Sequence, residues 1–170
     1  MGNYTDESTS PSQLLTSTIA DELKIATRNK GLVYAIAPFR DAAILGAGHA
    51  GNGAFWLNNN TGKWCSTTYY NEFPWWLSQY NDRKSPDYRI KDMVWTPALP
   101  FTNYTFLPEW RNEPFKYKLD GERTNKFRRL ITSPFINEEV NLLTEELLNK
   151  STIGPVSYTH LRAHETLANL

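Results

Sequence analysis

His160 and His164 stand four residues apart beside Glu165. On a helix that spacing puts both rings on one face, as the start of a zinc site that still needs a third ligand and supporting groups. The surrounding run, Val156–Thr166, VSYTHLRAHET, is similar codon for codon to one reading frame of a transposon-end sequencing adapter. Residues 155–170 therefore read as a non-native tail, and the histidine spacing as accidental. His49 is then the one imidazole left for chemistry. It sits in the glycine-dense run Gly46–Gly53, GAGHAGNG, where the backbone can turn sharply or approach another group closely. His49 either faces a site or bonds to neighbouring backbone and pins the turn. Asn52 fits the turn through side-chain-to-backbone bonding. Just upstream is the pair Arg40-Asp41. Read from the residues alone, it is a surface ion pair at a strand end.

The elements that must hold these residues follow from pattern. Ser10-Pro11-Ser12-Gln13 reads as a helix start, with Ser10 as N-cap and Pro11 in the first turn. Leu15, Ile19, Leu23 and Ala26 then repeat at helical spacing. Asn29-Lys30-Gly31 ends that helix, with Gly31 suited to a left-handed cap. The apolar runs Leu32–Ala37 and Ala42–Leu45 flank Arg40-Asp41. Helix, glycine turn and apolar strand together predict an α/β unit with a largely parallel sheet. Ala54–Leu57 and Trp64–Tyr70, joined by the turn-rich Asn58–Lys63, predict a β-hairpin. A short helix begins at Pro74 and runs to Asn81. Lys84–Lys116 is punctuated by five prolines and reads as an irregular, aromatic-rich insertion that covers something or lines a cleft. Helix returns over Glu122–Ile131. After Ser133-Pro134, Ile136, Val140, Leu143 and Leu147 mark one apolar stripe. The organisation read from the chain is a disordered lead-in over Met1–Thr9, one segment over 10–154, and the tail.

Composition limits the possibilities. Lysine plus arginine and aspartate plus glutamate are 18 each, so there is no electrostatic reason to expect nucleic acid or an anionic membrane surface as partner. No apolar run approaches the ~20 residues that span a bilayer. The single Cys65 cannot form an internal disulfide. Six tryptophans and nine tyrosines supply either a compact aromatic core or a stacking platform.

Four blocks resemble one family. They are Ser10–Lys24, Ala42–Trp56 (AAILGAGHAGNGAFW), Thr61–Tyr70 (TGKWCSTTYY) and Thr132–Leu148. Together they resemble the alkaline-phosphatase superfamily, in the branch shared with type I phosphodiesterase/nucleotide pyrophosphatases, over roughly residues 10–154. The resemblance implies a partial α/β sheet with flanking helices and metal-assisted hydrolysis of a small phosphate ester. It implies two zinc ions, held by aspartates and histidines, and a threonine or serine nucleophile. In the family the nucleophile precedes the block matching Ser10–Lys24, and most metal ligands follow the block matching Thr132–Leu148. The expectation is therefore an internal piece of an exported or periplasmic hydrolase, with no zinc bound by the piece itself.

The one piece of family chemistry inside the chain is the clamp on the non-bridging oxygens. In the phosphomonoesterases it reads Lys-Asp-Arg ahead of a Gly/Ala-Ala-Ile-Leu run. Here Phe39 stands at the lysine position and Asp41 at the arginine position, and neither donates to a phosphoryl oxygen at neutral pH. A carboxylate there repels a dianion by about 4 kcal/mol before screening, at ~4 Å and an effective dielectric near 20. Either Arg40 takes over by a shifted register, or the parent favours a diester, a sulfate ester or a bulkier substrate. The substrate-contact candidates are therefore Arg40, His49 and Asn52. Two alternatives stay open: an aromatic binding module over Phe73–Tyr117, and a phosphatase-like protein without catalysis.

Overall fold

The computed structural model describes residues 9–70, 73–104, 114–120 and 125–153. The histidine pair, the tail and Met1 to residue 8 lie outside them. Thr9 is held in place: its carbonyl accepts from Thr67 Oγ1 at 2.6 Å.

The sheet at the centre has the order β1-β2-β3. β1 (Tyr34–Ala37) and β2 (Gly53–Leu57) are parallel, with Tyr34 opposite Gly53 and Ala37 opposite Trp56. They are joined through α2 (Arg40–Ala47), so the expected α/β unit with parallel strands is present, with a helix where the sequence showed only the apolar run Ala42–Leu45. β3 (Trp64–Cys65) turns back antiparallel to β2 across the Asn58–Lys63 turn. Asn58 Oδ1 accepts from the amides of Asn60 and Thr61, and Gly62 supplies the left-handed residue at φ 67°.

Strand alternation divides the core between the two faces of the sheet. Ala54, Trp56 and Cys65 pack against Ala43, Ile44 and Ala47 of α2. Phe55, Leu57 and Trp64 face the other way. They meet Trp76, Leu77 and Tyr80 of α3 (Trp75–Arg83), Phe127 and Leu130 of α4 (Lys126–Ile131), and Ile136, Leu143 and Leu147 of α5 (Phe135–Lys150). Much of the aromatic content is thus core. Phe55 stacks on Tyr34 and meets the edge of Trp76. The α5 stripe falls where its spacing puts it, with Val140 packed partly buried against the same core. Between α3 and α4 run short 3-10 turns and a two-strand ribbon, β4 (Val94–Trp95) and β5 (Tyr117–Lys118).

Two polar devices hold the second face. Asn81, buried on α3, accepts the Trp64 amide through Oδ1 at 2.8 Å and donates Nδ2 to the Trp64 carbonyl at 2.9 Å. A side-chain amide thus replaces a neighbouring strand at β3. Glu139, fully buried on α5, takes both Nε and Nη2 of Arg89, at 2.8 and 2.5 Å. That hydrogen-bonded pairing is what makes a carboxylate tolerable in the interior.

The N-terminal helix differs from its sequence reading. Pro11–Gln13 is a single 3-10 turn capped by Ser10. The α-helix proper, α1 (Ile19–Ala26), starts later, behind a reciprocal cap between Thr18 and Asp21. Its buried residues are Ala20, Asp21 and Lys24, while Leu15, Ile19 and Ile25 are exposed. The left-handed residues after it are Arg28 and Asn29, not Gly31. Gly31 instead donates its amide to Thr27 Oγ1 at 3.1 Å.

Candidate functional site at the two ends of the crossover helix

The crossover sorts the three candidate residues between opposite ends of the sheet. β1 passes through Pro38 and Phe39 into α2, so Arg40 and Asp41 lie at the carboxyl end of β1. α2 then runs back for eight residues, about 12 Å at 1.5 Å per residue. Gly48–Asn52 turns the chain into β2, so His49 and Asn52 lie at the amino end of the strands. Open α/β sheets bind ligands outside the carboxyl ends of their strands. Of the three candidates, Arg40 alone occupies that end, and the structure does not bring it together with His49 and Asn52.

At the carboxyl end, Phe39 is the N-cap of α2 and no side chain caps the first turn. Ala43 is the first amide of the helix bonded back, to the Phe39 carbonyl at 3.1 Å. The amides before it point out of the helix end, a geometry that suits oxyanions. The side chains there do not reinforce it. Phe39 is exposed, and Arg40 Nε donates to Asp41 Oδ1 at 2.8 Å. This is an exposed ion pair at a helix start, not at a strand end, and the guanidinium spends one donor on its neighbour.

At the amino end, the glycine turn is built as scaffold. Gly48 has φ 64°, and a Cβ there would run into Thr18 Oγ1 and Asp21. Asp21 Oδ1 accepts the Ala50 amide at 2.7 Å, and Oδ2 accepts the Thr18 amide and hydroxyl at 2.8 and 3.0 Å. Burial alone would raise this carboxyl's pKa. The amides of Thr18, Ala50 and His49 and the Thr18 hydroxyl outweigh it and hold the pKa below its ordinary value. Tyr70 donates its hydroxyl to the Gly48 carbonyl at 2.7 Å, and burial, helped by the nearby charges of Tyr69 and Asp21, raises that phenol. Asn52 is tied to the entry of β1: its Oδ1 accepts the Val33 amide at 2.8 Å, and its own amide donates to the Val33 carbonyl at 2.6 Å. His49 is half-buried and borders an open groove with Asp21 and Lys24.

Asp21 is the residue the sequence reading missed. A Thr-x-x-Asp step within Ser10–Lys24 is a recognisable helix-start signature, and it marks both the true start of α1 and the carboxylate that organises the turn. Among the described residues, no three His, Cys, Asp or Glu side chains gather for a metal ion. These residues do not fit a metal cage, and no step of hydrolysis is assigned to them.

No family model matches the chain. Individual proteins do. The chain is 37% identical over 121 residues to a protein named calcium-transporting ATPase from Myroides odoratus, covering 71% of this chain and 22% of that one. It is 31% identical over 122 residues to alkaline phosphatase PhoV of Synechococcus elongatus, covering 71% and 22%. It is 36% identical over 119 residues to alkaline phosphatase PafA of Elizabethkingia meningoseptica, covering 69% and 21%. The crystal structure of wild-type alkaline phosphatase PafA superposes with a TM-score of 0.64 at 26% identity, over 82% of this chain and 29% of that one. A PafA variant with one threonine, one asparagine, one lysine and one arginine replaced gives 0.67 at 28% identity, with the same coverage. The chain thus spans about a fifth of the length of the curated relatives it matches. Sequence and backbone agree on one assignment: the chain belongs to the alkaline-phosphatase superfamily.

Proposed function

We propose that this chain forms the crossover-and-hairpin part of a phosphoester hydrolase, presenting the β1–α2 junction to the substrate while other parts of the catalytic domain supply the reacting groups. The observation that carries the reading is the match to PafA in both sequence and backbone. Metal dependence follows from the same likeness. Two zinc ions and a threonine or serine nucleophile complete the reading, held by polypeptide outside the residues described. Bound there, the metals would activate the nucleophile and stabilise the leaving oxygen. Export to the periplasm is part of the same proposal. Among the described residues, no helix is long and apolar enough to cross a membrane.

The junction points to the substrate class. The PafA variant replaces a lysine and an arginine two positions apart, the spacing that separates Phe39 from Asp41 here. With an aromatic ring and a carboxylate at those places, the junction offers the α2 amides and Arg40 in place of two cations. That favours an ester of lower charge than a phosphomonoester dianion.

The test uses a parent polypeptide containing this segment, assayed on nitrophenyl phosphate and bis-nitrophenyl phosphate before and after chelation. Metal-dependent cleavage with the diester preferred supports the proposal, and the Phe39→Lys, Asp41→Arg double variant should shift preference toward the monoester. A metal-loaded parent inactive on both esters would refute it. The 170-residue chain alone should retain no stoichiometric zinc through dialysis and cleave neither ester.

A further inference from the structure

The groove beside α1 and the segment leading into it combines exposed aliphatic side chains with a buried cation. Leu14, Leu15, Ile25, Lys24 and His49 border a groove of about 500 Å³. Leu15 is wholly exposed and Ile25 is 68% exposed, whereas Lys24 keeps only 6% of its surface. The Lys24 ammonium donates to the Gly31 carbonyl at 2.9 Å, which uses one of its three N–H donors. Among the described residues, none of the ion pairs includes Lys24. The carboxylate one turn away, Asp21, is taken up by backbone amides and the Thr18 hydroxyl. A buried ammonium without a counter-ion beside exposed aliphatic side chains is costly unless something covers both.

The complementary occupant is aliphatic and carries a carboxylate. The relatives supply a source for it, since this chain spans only 21–22% of their length. We propose that the α1 groove seats an aliphatic, carboxylate-bearing segment from the remainder of the superfamily fold, with Lys24 as its counter-charge. The inference rests on the reading that the chain works within a longer hydrolase, but it is tested without any assay of activity.

The test titrates the whole chain with short overlapping synthetic peptides covering the part of Elizabethkingia meningoseptica PafA outside the matched region, read by fluorescence anisotropy. A peptide with aliphatic residues around an Asp or Glu should bind saturably. Lys24→Met and Leu15→Glu should each weaken it about tenfold or more, while Lys24→Arg stays within about threefold. Leu15 is fully exposed, so Leu15→Glu should leave the fold intact, checked by an unchanged melting curve. No saturable peptide overturns the proposal, as does equal binding by Lys24→Met. So does a groove closed by a second copy, seen as a Leu15→Glu-sensitive dimer in sedimentation. A parent inactive on phosphoesters would sink the functional reading and leave the groove result standing; an active parent with no peptide binding would do the reverse.

Discussion

Asp21 and Ala50 lie 29 positions apart, yet the carboxylate of the first accepts the amide of the second at 2.7 Å. The same carboxylate closes the cap of α1 on Thr18. One buried acid therefore couples the start of a helix to the turn that feeds the central strand.

That coupling should titrate. The folded pKa of Asp21 lies below its ordinary value of 3.8, so its stabilising contribution is complete above that value and is lost as pH falls through the lower, folded one. Denaturant midpoints measured from pH 7 to pH 2 should fall in that acid window. Asp21→Asn should flatten the acid limb and cost about 1–2 kcal/mol at neutral pH, the scale of a lost helix cap. An unchanged acid limb in the variant would show that the acid sensitivity lies elsewhere.

Gly48→Ala should destabilise by about 1–3 kcal/mol, because φ 64° strains any side chain and the added methyl meets Thr18 and Asp21. Guanidinium unfolding measures it. Gly46→Ala is the control: φ there is not positive, and the nearest atom to an added Cβ is the Ala35 methyl at 3.2 Å, so its cost should be clearly smaller.

Removing one half of the interior ion pair should hurt more than removing both. Arg89→Met strands the fully buried Glu139 carboxylate and should cost about 3–5 kcal/mol, whereas adding Glu139→Leu should recover most of it. The four stabilities of the double-mutant cycle give the coupling directly. Tyr80 provides a second readout. Burial, with the charge of Glu139, pushes its phenol up to about 12, against the opposing effect of Arg89. Neutralising Glu139 should bring that titration down.

Asn81→Ala should leave the amide and carbonyl of Trp64 without their partners at a fully buried residue. The expected cost is about 1–3 kcal/mol, with early loss of hydrogen-exchange protection at Trp64. Asn81→Asp, which sets a carboxylate oxygen against the buried Trp64 carbonyl, should cost at least as much as alanine at neutral pH.

These residues also mark how far the sequence could be read. The parallel α/β unit, the hairpin and the α5 stripe were legible because each rests on local periodicity bounded by turn residues. α1 was not. Leu15, Ile19, Leu23 and Ala26 are correctly spaced for a helix face, but Thr18 and Asp21 restart the backbone inside that run. The buried side is instead Ala20, Asp21 and Lys24, because a carboxylate satisfied by amides can be interior where a spacing rule expects an aliphatic. Arg89 and Glu139 are 50 positions apart, and neither lies in a pattern that names the other. The separation of Arg40 from His49 and Asn52 follows from Arg40–Ala47 being helix: read only as an apolar run, that segment gives no direction, and the reversal it imposes puts the residues at opposite ends of the sheet.

The amide of Asn81 has one more effect. By occupying the polar groups of Trp64 that a neighbouring chain would use, it terminates the hairpin side. Among the described residues, the border of the sheet without such a side-chain cap is then the opposite one, Tyr34–Ala37.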